Sequence, residues 1–208
     1  MRFYKNREER ARWLAEKYSR YLSGSVLDVG CWNGDLKKYL ITKSEYIGID
    51  IAGSPNLYVN LEKGLPFKDN SFDCVVATDV LEHLENIHFV FAELIRVSKR
   101  YVIISLPNCW ASFVRALMGG LFKSESLKFY GLPIEKPNDR HRWFFNTDEA
   151  MSFVEHNAKR RGVKIKEMEV VFSNNRIQLL RRFMPREIRM NIFAMALWVV
   201  LEKGGGER

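Results

Sequence analysis

Apolar positions change period several times along this chain, and the changes mark out a succession of elements. From about Asn6 to Leu22, the residues Leu14, Tyr18 and Leu22 share one helical face, Arg, Lys and Glu fill the rest, and Ser23-Gly24 ends the pattern. Strand-like runs follow at Ser25 to Gly30, Tyr46 to Ile51, Leu57 to Leu61, Phe72 to Val80 and Tyr101 to Leu106. The last two are continuously apolar, as strands covered on both faces of a parallel sheet are. Between them Leu84, Ile87, Phe91, Leu94 and Ile95 recur at helical spacing, which predicts a crossover helix ending near Ser98-Lys99. An apolar segment runs from Cys109 to Phe122 and gives way to a polar, Pro-punctuated loop over about Lys123 to Arg140. Its length fits a lid or an excursion. Thr147 then caps a helix to about Arg161, with Met151, Val154 and Ala158 inward and Gly162 as its stop. Val163 to Phe172 alternates cleanly, and Ala194 to Leu201 reads as a final buried strand. No independent helix is expected in the link Ser173 to Asn191, so this pair should be antiparallel at the sheet edge.

The expectation is an α/β, Rossmann-like fold: a mostly parallel seven-stranded sheet, helices on both faces and an antiparallel C-terminal strand pair. Residues 1–24 form an N-terminal helix, 25–203 one domain with a lid-like insertion at about 109–145, and 204–208 a flexible tail. The 208 residues suffice for one substantial core and fall short of two typical domains. A balance of 33 basic against 25 acidic residues gives a net charge of +8, which favours anionic partners. The basic residues are spread along the chain, however, so nucleic acid is not indicated. The segment Arg176 to Arg189, with Leu179, Leu180, Phe183 and Met184 interleaved, could touch an acidic membrane surface or simply connect strands. No apolar run is long enough to span a bilayer and no signal peptide is evident, so a cytoplasmic location is expected. Cys31, Cys74 and Cys109 have no metal-ligand spacing, so neither a zinc site nor a disulfide framework is expected.

The chemistry concentrates in Val26-Leu27-Asp28-Val29-Gly30-Cys31-Trp32-Asn33-Gly34-Asp35-Leu36. A short apolar strand there breaks into a tight Gly-containing loop and is expected to restart as a helix. Small residues let a ligand approach the backbone, and the N-terminal N–H groups and dipole of such a helix would face the same spot. The next strand ends in Asp50, 22 residues past Asp28, where a βαβ unit places a carboxylate able to hold a ribose diol.

Four pieces in register resemble the class I S-adenosylmethionine-dependent methyltransferases, in the compact branch that mostly modifies small molecules and lipids. They are Val26-Leu-Asp-Val-Gly-Cys-x-x-Gly34, Gly48-Ile-Asp50, Leu65-Pro-Phe-x-x-x-Ser-Phe-Asp73 and Asp79-Val-Leu-Glu-His-Leu84. The resemblance implies S-adenosylmethionine as cofactor, with Asp50 on the ribose, Ile51 on the adenine, and Asn60 and Leu61 at its edge. It sets Asp28 and the loop Gly30, Cys31 and Gly34 at the methionine end, and Thr78 and Asp79 beneath the sulfonium. His83 and His141 become the candidate catalytic bases, and Trp32, Asn108, Trp110 and Trp143 candidate walls of the acceptor pocket. Trp32 stands where the family usually has glycine, so its indole must either crowd the cofactor or fold outward. The acceptor would be a small molecule or lipid, the assembly a monomer or homodimer.

Blander readings accompany each of these. The Gly30 loop could be an ordinary turn, Asp50, Asp79 and Glu82 could be helix caps, and the aromatic residues could be lid core. Two rival functions follow: a non-catalytic RNA- or protein-binding module on this fold, and a nicotinamide-dependent dehydrogenase. The second fits poorly, because Gly30-x-x-x-Gly34 lacks the G-x-G-x-x-G spacing.

Overall fold

A computed structural model describes residues 4, 6–41, 44–118, 135, 140–172 and 183–204. Seven strands, β1 (Ser25–Val29), β2 (Glu45–Asp50), β3 (Leu57–Tyr58), β4 (Phe72–Thr78), β5 (Ser98–Pro107), β6 (Lys164–Phe172) and β7 (Ala194–Glu202), form one sheet in the order β3-β2-β1-β4-β5-β7-β6. The first five pair in parallel, and β7 pairs antiparallel with both β5 and β6. The expected sheet and its antiparallel strand pair are therefore present. That order also differs from the all-parallel sheet of the dinucleotide-binding fold.

Alternation along the strands feeds two cores. Leu27, Val29, Val75, Ala77, Val102 and Ile104 face the helices α2 (Ile87–Val97) and α4 (Thr147–Arg160). Val26, Cys74, Val76 and Ile103 face the other way, under α1 (Arg7–Lys17). Trp198 of β7 anchors α1 there, its ring centroid 5.9 Å from Tyr18 and 4.7 Å from Trp13. This aromatic cluster lays the N-terminal helix across the end of β1.

Several boundaries differ from the sequence pattern. The N-terminal helix ends at Lys17, and Ser19–Tyr21 continue only as a 3-10 turn. After β1 there is no α-helix but a five-residue 3-10 turn, Asp35–Tyr39, because only ten residues separate Gly34 from β2. The cap of α4 is Asn146 and not Thr147: its side chain accepts the Glu149 N–H while the Glu149 carboxylate accepts the Asn146 N–H. The strand expected to reach Leu61 stops at Tyr58, since Leu61–Lys63 wind into a 3-10 turn. The last connection contains a helical stretch, Arg186–Phe193, where none was expected, its final five residues wound as π-helix. The helix α3 spans Cys109–Met118. Most of the expected lid loop, the basic run 176–182 and the tail 205–208 lie outside the described residues.

Candidate functional site

Five residues of the turn after β1 hold three left-handed backbones: Gly30 (φ 74°), Trp32 (φ 53°) and Gly34 (φ 71°). At Gly30 a side chain would collide with Val80 as well as meet the unfavourable φ, so glycine is required for the turn to lie against the end of β4. The turn's donors are spent on its own scaffold. Gly30 and Cys31 N–H donate to the Ile49 carbonyl (2.8 and 3.2 Å), Gly34 N–H to the Cys31 carbonyl (2.9 Å) and Trp32 N–H to Asp50 Oδ2 (2.7 Å). The expected anion cradle of loop N–H groups and a helix N-terminus is therefore replaced by a turn stitched to β2.

Asp28 and Asp50 stand at the carboxyl ends of adjacent strands, on either side of this turn. Asp28 is buried, accepts the Tyr46 hydroxyl at 2.8 Å, and lines a cavity of about 30 Å³. Burial pushes its pKa up to about 7, against the Tyr46 hydrogen bond, which favours the charged form. Asp50 uses both oxygens on backbone: besides Trp32, its Oδ1 accepts Ile51 N–H (2.6 Å) and Ala52 N–H (3.1 Å). Ile51 beside it is 71% exposed. Leu61 is buried, and Asn60 Oδ1 caps the turn Leu61–Lys63 by accepting Glu62 N–H.

The small volume of the cavity has a definite cause. Arg7, Arg10, Ala11 and Leu14 of α1 roof it, facing Asp28, Gly30, Cys31, Trp32 and Thr78. The Arg7 guanidinium lies 4.7 Å from the centroid of the Trp32 ring, so the indole folds outward against α1. Arg10 pairs with Asp79, itself in a left-handed conformation (φ 53°) and held by Ser105, whose hydroxyl donates to Asp79 Oδ1 at 2.6 Å. Burial works against the charge of Arg10, but Asp79 together with Tyr4 and Glu82 more than offsets it and holds its pKa above the ordinary value. Nothing near the turn announces these arginines, because they reach it from another segment. Replacing Arg7 by Ala is expected to loosen the roof by about 0.5–1 kcal/mol, the scale of an exposed cation–π contact. Stopped-flow tryptophan fluorescence should then show faster ligand association; an unchanged rate would separate Arg7 from access.

A second cluster lies beyond β4, on the 3-10 turn Leu81–His83. The Glu82 carbonyl accepts N–H of Arg142 (2.7 Å) and Trp143 (3.4 Å), and the Trp143 indole N–H donates to the Leu84 carbonyl (2.7 Å). These bonds lay the segment 140–143 on the turn and bring His141 against His83, ring centroids 4.5 Å apart and nearly perpendicular. Cys109 Sγ lies 3.7 Å from His141 Nδ1, and burial pushes its thiol pKa up to about 12. Nearby, a cavity of about 260 Å³ is lined by Leu106, Trp143, Phe144, Phe145 and Phe153, with His88 and Glu149 as its polar members.

The expected acceptor-wall residues therefore separate. Trp143 lines the aromatic cavity, Trp32 the small one, and Trp110 stacks on Phe144 at 5.6 Å. Asn108 is buried, its amide donates to the Met190 and Ala194 carbonyls, and its Oδ1 accepts Ala111 N–H. It fixes backbone where β5, α3 and β7 meet.

The Methyltransferase domain family matches residues 27–105. A bifunctional methionine biosynthesis protein MetXA/MetW of Rhodopirellula baltica is 32% identical over 105 residues, covering 40% of this chain and 17% of that protein. The chain thus spans about a sixth of the length of that curated relative. Among solved structures, a SAM-dependent methyltransferase from Archaeoglobus fulgidus aligns over 96% of both chains with a TM-score of 0.58 and 15% identity. The small RNA methyltransferase HEN1 aligns over all of this chain and 26% of its own, with a TM-score of 0.61 and 15% identity. Residues 27–105 thus match a methyltransferase domain, and with the strand order β3-β2-β1-β4-β5-β7-β6 the chain has the fold of solved S-adenosylmethionine-dependent methyltransferases.

Proposed function

We propose that this chain transfers a methyl group from S-adenosylmethionine to an oxygen, nitrogen or carbon of a small, largely apolar molecule or lipid. The observation that carries the cofactor reading is Asp28: a carboxylate buried at the floor of a cavity, its charge disfavoured until a cation arrives. An α-ammonium group meets that demand. Asp50 Oδ2 accepts a single N–H and has a lone pair left for a ribose hydroxyl, and exposed Ile51 offers apolar surface for an adenine. The residues present therefore fit the cofactor in chemistry, and the first turns of α1 must swing aside to admit it.

The chemistry supplied by bound S-adenosylmethionine is an electrophilic methyl on a positively charged sulfur. The residues of this chain then have three tasks. Thr78 and Asp79 close the floor at the end of β4, the aromatic cavity around Trp143 and Phe144 draws the acceptor out of water, and alignment of the two reactants supplies most of the rate. His83 and His141 stand beside that cavity's Trp143 segment and take the proton when the acceptor carries one.

Calorimetric titration tests the reading. S-adenosylmethionine and its demethylated product should both bind saturably, and NAD should not. No heat with either sulfur compound would remove the assignment and leave the non-catalytic module, to which the roofed cavity and the net charge of +8 already lend support.

A further inference from the structure

We infer that Glu82, His83 and His141 form a binding site for a divalent transition-metal cation, with Zn²⁺ the best match to the donors. One ligand atom from each residue can be chosen so that all three lie within 4.8 Å of one another. Two imidazoles and a carboxylate are the donor set of open, catalytic zinc sites, which bind at about 2.0–2.2 Å and keep a further position for water or substrate. A tetrahedral ion of that kind needs its ligand atoms about 3.4 Å apart, so small side-chain rotations close the set. The nitrogen donors favour a transition dication over the oxygen-seeking Mg²⁺ and Ca²⁺.

The surroundings orient the ligands as a metal would require. His83 Nδ1 lies 3.3 Å from the Arg140 carbonyl, which fixes the proton on Nδ1 and turns the lone pair of Nε2 toward Glu82 Oε1, 3.6 Å away. His141 Nδ1 lies 3.7 Å from the Cys109 sulfur, a contact that orients its ring. Glu82 is fully buried, where a carboxylate gains from an adjacent cation. The ligands are also pre-positioned, since the Glu82 and Leu84 carbonyls hold the segment that carries His141.

The turn Leu81–His83 follows directly from the end of β4, so the open position of the ion would face the acceptor side. There a metal held by His83 and His141 would take the place of their direct proton transfer, drawing in an acceptor oxygen and making it more acidic; that role rests on the methyltransferase reading. Cation binding itself does not.

The full chain, stripped by chelator, should be titrated with Co²⁺ as a coloured stand-in and then with Zn²⁺. One equivalent of Co²⁺ is expected to give visible ligand-field absorption that Zn²⁺ abolishes, and Zn²⁺ should raise the melting temperature. His83→Ala and His141→Ala, ligands from separate segments, should each weaken binding by about 10- to 100-fold, while the remote His156→Ala should not. Absence of saturable absorption in the folded wild type, or wild-type affinity in both ligand variants, would overturn the site. Should one variant fail to fold, the other decides. S-adenosylmethionine calorimetry on the same metal-free samples reports the cofactor reading independently.

Discussion

Replacing Asp28 with Asn is expected to stabilise the ligand-free protein at neutral and alkaline pH and to weaken S-adenosylmethionine binding. The sign follows from linkage. The folded carboxyl titrates at about 7, against about 3.9 in the unfolded chain, so the folded state holds the proton more tightly. The stability that Asp28 contributes is complete below about pH 4 and is lost as pH rises to about 7, by up to about 4 kcal/mol. Thermal melts at pH 5 and pH 8 should therefore show the wild type losing ground to the variant as pH rises. Parallel melting curves would refute the assigned ionisation. Binding an ammonium group should expel the Asp28 proton, so near pH 6.5 calorimetric heats should depend on the buffer's ionisation enthalpy. In Asp28→Asn that dependence should vanish and affinity fall by about 1.5–3 kcal/mol, the scale of a hydrogen bond to a charged group.

Asp50→Ala should act on both cofactor and fold. Loss of the ribose acceptor predicts a drop in affinity of about 1.5–3 kcal/mol. The carboxylate also ties down the N–H groups of Trp32, Ile51 and Ala52, so the turn after β1 loses its fastening to β2. Asp50 is partly exposed and water replaces some of these bonds, leaving a stability loss of about 1–2 kcal/mol. Calorimetry and denaturant melts on one preparation measure the two effects. Full affinity in a normally folded variant would free Asp50 of any ribose role, and full stability would deny it the turn.

Much of this arrangement was legible along the chain. The continuous apolar runs of β4 and β5 announced strands covered on both faces, and the core clusters cover them so. Asp28 and Asp50 could be placed at the ends of neighbouring strands from the motif and its spacing. The helix expected after the Gly-containing loop is a 3-10 turn, because the ten residues between Gly34 and β2 are too few to propagate an α-helix. For Asn108, which the resemblance set among the acceptor-pocket walls, the backbone partners in α3 and the stretch before β7 come only from the packing.

The sequence by itself determined which segments became strands and helices, and which carboxylates close β1 and β2. Such features depend on the burial period of a single element and on the residue that ends it. Only the tertiary structure decided that Arg7 and Arg10 roof the cavity, that Trp32 turns outward onto Arg7, and that His141 meets Glu82 and His83 across more than fifty residues of chain. Those meetings depend on how α1 is seated by the Trp13, Tyr18 and Trp198 rings and on where backbone bonds lay the segment after the insertion. No local pattern encodes either contact, because each is fixed by packing between elements remote in the chain.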